Sequence, residues 1–210
     1  MILQFADTQT RADLVTYVGR ARQLDSDGAI RLQAVGTALA AWVGVLPGEG
    51  LTRSGTTLGL RVLPLAEAAQ LDVVVPLAGL ADRFARDPDT AQLPVPPTEV
   101  RAAWASLSPP QGGWQLVGEI PVQPLNDVAA QGISDITAGA PEGSGAHAVD
   151  GLRRAVWSRP MPVLGDVEGL PTGVAFAAFT LGFLVGPAAK VYAAGRWHRV
   201  TTPAGHVLVR

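Results

Sequence analysis

The sequence contains no cysteine, which excludes structural disulfides, thiolate metal sites and cysteine nucleophiles together. Lysine is almost missing as well. Of 16 basic residues only Lys190 is lysine, the rest being arginine, a ratio that reads as genomic compositional bias. Charge is sparse: charged residues make up 16% of the chain, against roughly 25% in ordinary soluble domains. With 48% hydrophobic residues, disorder is excluded, and part of the surface is expected to be covered by a partner or by the other half of the chain. A net charge of −2 argues against a molecule built throughout for polyanions. The opening residues Met1-Ile2-Leu3-Gln4-Phe5 lack a basic n-region and a long apolar run. No signal peptide is read there, and a cytoplasmic location is expected.

Long hydrophobic runs are also scarce. Gly169 to Ala189 carries no charge, but Pro171 and Pro187 bracket it and Gly173, Gly182 and Gly186 dilute it. Its dense part, Val174 to Val185, is too short for the roughly 20 apolar residues of a membrane span and reads as a buried helix. No membrane association is expected.

What is present is organised. The 210 residues fit one large domain or two small ones. Charge is divided unevenly: residues 1–150 hold nine arginines against sixteen acids, a net of −7, and residues 151–210 hold seven basic against two acidic groups, a net of +5. Such a split fits either opposite charges meeting inside the molecule or an acidic body with a basic binding face.

Spacing supplies the elements. Ile2 to Ala6 reads as a strand. Thr10 offers an N-cap for an amphipathic helix over 11–24, ended by Asp25-Ser26-Asp27-Gly28. Strands follow at 30–34, 39–46, 56–63 and 73–75, then a short helix over 77–86. Pro88, Pro94, Pro96 and Pro97 crowd one stretch, so the organisation expected is an α+β lobe over 1–93, a Pro-rich linker at 94–97 and a second lobe over 98–210. The second lobe shows helical patterns at 99–107, 125–131, 144–158 and 174–185, with a strand at 114–120. It closes with a β-meander over 189–209, whose last turn has Pro203 and Gly205 in turn positions. The fold class is therefore α+β: an N-terminal mostly antiparallel sheet with two helices, then a helical lobe ending in a winged-helix-like meander.

Two resemblances accompany this reading. Arg101-Ala-Ala-Trp-Ala-Ser-Leu-Ser-Pro-Pro110, Gly118-Glu-Ile-Pro121, Leu152-Arg-Arg-Ala-Val-Trp157 and Arg199-Val-Thr-Thr-Pro-Ala-Gly-His206 resemble segments of uncharacterised proteins from high-GC Gram-positive bacteria. That family brings no assigned activity and no residue role. In element order, the first half resembles one repeat of a bacterial sliding clamp. Asp27-Gly28-Ala29-Ile30 through Val45 stands for its strand pair, and Val73-Val-Val-Pro-Leu-Ala-Gly-Leu80 for its strand-to-helix step.

Candidate chemistry is thin. His147, His198 and His206 form no spaced ligand set, so no metal or other cofactor is implied. Ser144, His147 and Asp150 are the residue types of a nucleophilic triad, but three-residue steps on one helix seldom align a base between nucleophile and acid. Gly48-Glu49-Gly50 through Gly55 lacks dinucleotide spacing and joins two strands. The Gly143-Ser144-Gly145 loop entering a helix presents free N–H groups to an anion, with Arg153 and Arg154 farther along. Arg196, Trp197, His198 and Arg199 combine cations and an aromatic on the meander, as nucleic-acid contacts do. Against a base-reading role, the uncharged helix before the meander has no side chain to reach base edges. Trp104, Trp114, Trp157 and Trp197 serve equally as interface anchors or as core. The expectation is a non-catalytic protein acting on an unidentified protein partner, with a sequence-neutral nucleic-acid binder and an enzyme on a small anion at residues 143–154 as alternatives.

Overall fold

A computed structural model describes residues 1–50, 52–140 and 145–210. The elements are β1 Ile2–Gln4, α1 Thr8–Leu24, β2 Ala29–Leu46, β3 Thr57–Pro76, α2 Leu77–Arg86, β4 Gln92–Pro94, a 3-10 turn at Ala103–Ser106, β5 Gln115–Pro121, α3 Val122–Gly139, α4 Ala146–Trp157, α5 Gly173–Thr180, β6 Ala188–Ala194, β7 Trp197–Thr202 and β8 Gly205–Val209. Two compact units result: Met1–Val45 with Leu58–Ser108, and Leu46–Thr57 with Pro109–Arg210.

In the first unit, α1 starts earlier than its spacing suggests because Asp7, not Thr10, caps it. The Asp7 carboxylate accepts the Thr10 N–H at 2.6 Å, which holds its pKa below the usual carboxylate value. Leu14, Tyr17, Val18 and Ala21 form the buried stripe. The strands expected at 30–34 and 39–46 are one strand, β2, and those at 56–63 and 73–75 are likewise one strand, β3. Alternation fails in the middle of β2 because residues 35–38 are exposed and Gly36 has φ +60°. Arg31 ties the two strands, its Nε and Nη2 donating to Asp72 at 2.7 and 2.6 Å and its Nη1 to the Ala105 carbonyl at 3.1 Å. β1 and β4 pair antiparallel with Leu3 opposite Leu93. Val95 N–H continues onto the Met1 carbonyl at 3.0 Å. The helix expected at 99–107 is only the 3-10 turn, cut short by Pro97 and by Pro109-Pro110. Its Trp104 lies so close to Gly44 of β2 that a Cβ there would collide with the indole.

Arg11 organises one end of this unit. It is 3% exposed and donates to the carbonyls of Gln92, Pro88 and Asp87 at 3.1, 3.1 and 2.6 Å. Its guanidinium also lies over Phe84 at 5.1 Å. A buried charge needs several acceptors to offset its lost hydration, and here backbone carbonyls supply them.

The second unit is built on β5-β6-β7-β8, antiparallel throughout, with Val191 opposite Val200 and Val200 opposite Val207. β5 extends the expected meander on its β6 side, so the winged-helix comparison finds no confirmation in the topology. The helix expected at 125–131 runs over all of 122–139, and the one expected at 174–185 ends at Thr180. Every residue from Gly173 to Ala178 is buried, which explains why that helix is uncharged. Trp157 stacks on Phe176 with ring centres 4.3 Å apart, and Gly132 of α3 presses on the same indole, leaving no room for a Cβ. Among the described residues no helix is long and apolar enough to cross a membrane.

Candidate anion-binding groove

The β6–β7 connection is a two-residue turn, Gly195-Arg196, with Ala194 opposite Trp197. Gly195 has φ +59°, the left-handed conformation that such turns require and that glycine adopts without a Cβ penalty. The turn projects Arg196 into solvent. Facing it is the loop Pro110-Gln111-Gly112-Gly113, folded back on itself by Trp114 Nε1 donating to the Pro110 carbonyl at 3.0 Å. Arg210, after β8, is fixed by its backbone: its carbonyl accepts from Gly55 at 2.6 Å and its N–H donates to Thr56 at 3.2 Å. Together Pro110, Gly112, Gly113, Ala194 to Trp197 and Arg210 line an open cavity of about 490 Å3.

The four residues expected to contact nucleic acid separate by role. Arg196 is exposed. Trp197 is 6% exposed and belongs to the core. His198 is half-buried opposite Val209. Arg199 is half-buried, its guanidinium 4.6 Å from the Trp114 ring centre and 4.7 Å from that of Tyr192, its cross-strand neighbour. Cation–π contact of this kind holds a charge without an acid; Arg199 Nε is buried with no hydrogen-bond partner. Nearby, His206 Nδ1 lies 3.0 Å from Thr201 Oγ1. Burial first, and the Arg199 charge second, push the His206 imidazole down to about 4, so it is neutral at pH 7.

The other candidate, the 143–154 loop and helix, is described only in part. Gly143 and Ser144 lie outside the described residues, and with Ser144 the serine of the triad pattern. Gly145 sits before α4 without a side-chain cap, and Arg153 and Arg154 are exposed on that helix. His147 and Asp150 are exposed too. Among the described residues no three His, Asp or Glu side chains gather as metal ligands would.

Sequence reasoning missed Arg210, Gly112, Gly113 and the two aromatics around Arg199. The glycine pair was legible as a chain break and Trp114 as the start of a strand, but only the β5–β6 pairing, Gln115 opposite Ala193, brings that break to the β6–β7 turn.

Comparison with known proteins adds two family matches. Residues 1–106 match the domain of unknown function DUF8010. The chain belongs to the DUF8010 family. Residues 109–210 of this DUF8010 protein match a second domain of unknown function, DUF8185. No curated protein matches. Among solved structures, the DNA polymerase sliding clamp of Caulobacter crescentus is similar over 100% of this chain and 65% of its own, at 13% identity and TM-score 0.60. The DNA polymerase III beta subunit of Thermotoga maritima is similar over 100% of this chain and 64% of its own, at 12% identity and TM-score 0.57. The chain thus spans slightly less than two thirds of these clamps. At such identity the likeness establishes a mixed α/β fold with antiparallel sheets of sliding-clamp type, and the fold alone.

Proposed function

We propose that this DUF8010 protein is a non-catalytic, cytoplasmic interaction scaffold, accessory or regulatory, that acts by holding a protein partner. The observation that carries the reading is the likeness to sliding clamps along the whole chain, a fold that in those proteins serves a polymerase. The open groove with two arginines gives the scaffold a place to hold a partner. The test is chemical cross-linking in the source cells followed by purification of the full chain. Expected is a defined set of cross-linked partners, reproducible and absent from a mock purification. Recovery of the chain without partners, or a substrate turned over by the purified protein, overturns the reading.

A second reading has its own observation, the exposed Arg196 on a fold shared with DNA polymerase clamps. In it, the basic end binds nucleic acid without sequence preference, through Arg196, Trp197, His198 and Arg199 used as a winged-helix-like meander. Fluorescence anisotropy with labelled single- and double-stranded DNA over a salt series tests it, because phosphate contacts weaken steeply as salt rises. Absence of binding at low salt removes it. An enzyme on a small anion at residues 143–154 is the third reading, and phosphate binding lost on Arg153→Gln with Arg154→Gln is its measurable sign.

A further inference from the structure

Five arginines of the described residues are committed to visible partners. Arg31, Arg61 and Arg159 pair with Asp72, Asp13 and Asp135. Arg11 is bound by three carbonyls and Arg199 by two aromatic rings. Arg196 and Arg210 are not among these five, nor are Arg153 and Arg154 on α4, but Arg196 and Arg210 share one cavity. Among the described residues neither of these two side chains has an ion-pair or hydrogen-bond partner, and no acid lines the cavity with them. The cavity, about 490 Å3, is wide open to solvent, which suits an extended segment more than an enclosed small molecule. Its remaining walls are Pro110, Gly112, Gly113, Ala194, Gly195 and Trp197, with Gly112 and Gly113 exposed.

We infer that this groove binds an acidic peptide segment of a partner protein, its carboxylates on Arg196 and Arg210 and its backbone along Gly112 and Gly113. The inference rests on the scaffold reading and names the chemistry of the partner. Guanidinium forks match carboxylates in bidentate geometry, and bare glycine lets another main chain approach closely. Nucleic acid fits less well for two reasons. A base needs an aromatic face to stack on. Trp197 is buried, and one face each of Trp114 and Tyr192 is taken by Arg199. A long polyanion also gains from an extended positive field, whereas this chain carries a net −2. A short segment with few carboxylates needs only the local pair.

The test uses the full chain and a short fluorescein-labelled peptide alternating glutamate and leucine, read by anisotropy. Its glutamine counterpart and a labelled single-stranded DNA serve as controls. Saturable binding of the acidic peptide is expected, with weak or no binding of both controls. Arg196→Gln with Arg210→Gln should weaken it about tenfold or more, as loss of charged anchors does. Arg196→Glu alone, at an exposed turn where folding is not at stake, should do the same. No peptide binding, equal binding by the variants, or tighter arginine-dependent binding of DNA overturns the inference. Cross-linking separates the two proposals. A double variant that keeps the wild-type partner set refutes the groove and leaves the scaffold standing, whereas a wild type with no partners refutes the scaffold itself.

Discussion

The two units hold their arginines by different means. In the first, each structural guanidinium meets oxygen: Arg11 meets three carbonyls, Arg31 meets Asp72 and the Ala105 carbonyl, and Arg61 meets Asp13. In the second, only the exposed Arg159 meets an acid, Asp135; Arg199 meets two aromatic rings, and among the described residues the side chains of Arg196 and Arg210 have no ion-pair or hydrogen-bond partner. The local sequence offers a cause: the stretch that carries Arg196, Arg199 and Arg210 has no acid after Glu168. Without acids nearby, a cation is either stacked or left for a ligand. The same residue type is therefore held by oxygen in the first unit, and in the second is stacked at Arg199 and left available at Arg196 and Arg210.

Replacing Arg11 by methionine tests the first half of that contrast and carries the largest expected effect. Methionine keeps the apolar stem, gives up the guanidinium over Phe84, and leaves three carbonyls without their donor. Loss of a buried charge that served several acceptors costs about 3–5 kcal/mol. Urea unfolding followed by circular dichroism should show the first unit melting early. A loss below about 1 kcal/mol would mean that water reaches those carbonyls and that Arg11 is not the fastener described here.

Local signals made part of this legible in the sequence. The α1 stripe of Leu14, Tyr17, Val18 and Ala21 is a period-3.6 pattern, and Pro203-Ala204 between Thr202 and Gly205 is a turn by chemistry alone. The long strands were not legible. Pro64 to Asp72 includes Ala66-Glu67-Ala68-Ala69-Gln70-Leu71, residues that favour helix when taken alone. Pairing with β2 overrides that preference, and no local pattern announces it. Helix α3 was under-read for the opposite reason. Pro124 and Gly132 look like breakers, but Pro124 sits in the first turn, where proline is tolerated, and Gly132 makes room for Trp157. The groove follows the same rule: Arg196 was legible on its turn, while Arg210 and Gly112 reach it only through long-range pairing.

His206 sharpens the contrast from the second unit, where a cation sits beside an imidazole and no acid compensates. Its folded value of about 4 lies below the ordinary 6.5. Between those values the unfolded chain binds a proton that the folded chain refuses. Stability contributed by the neutral imidazole is complete above pH 6.5 and is lost as pH falls toward 4. Compared with His206→Gln, the wild type should lose an extra 2–3 kcal/mol or so on going from pH 7 to about pH 4.5. Unfolding curves at the two pH values for both proteins measure it. Parallel losses would show that His206 titrates normally and is not shielded.

The smallest effect is expected where the substitution made at Arg11 is repeated at Arg199. Methionine occupies part of the space between Trp114 and Tyr192 and brings sulfur–aromatic contact, worth about 0.3–1.5 kcal/mol. It forfeits two cation–π contacts of roughly 0.5–1 kcal/mol each, but it also removes a buried Nε that has no acceptor. These changes nearly cancel, so Arg199→Met should alter stability at pH 7 by about 1 kcal/mol or less. One consequence is directional. With the neighbouring charge gone, the His206 value should rise toward 6.5, and the low-pH loss should shrink. Denaturation at both pH values and NMR titration of the His206 ring read the two effects separately. A cost like that of Arg11→Met would show that Arg199 is held by oxygen after all, and would erase the difference between the units.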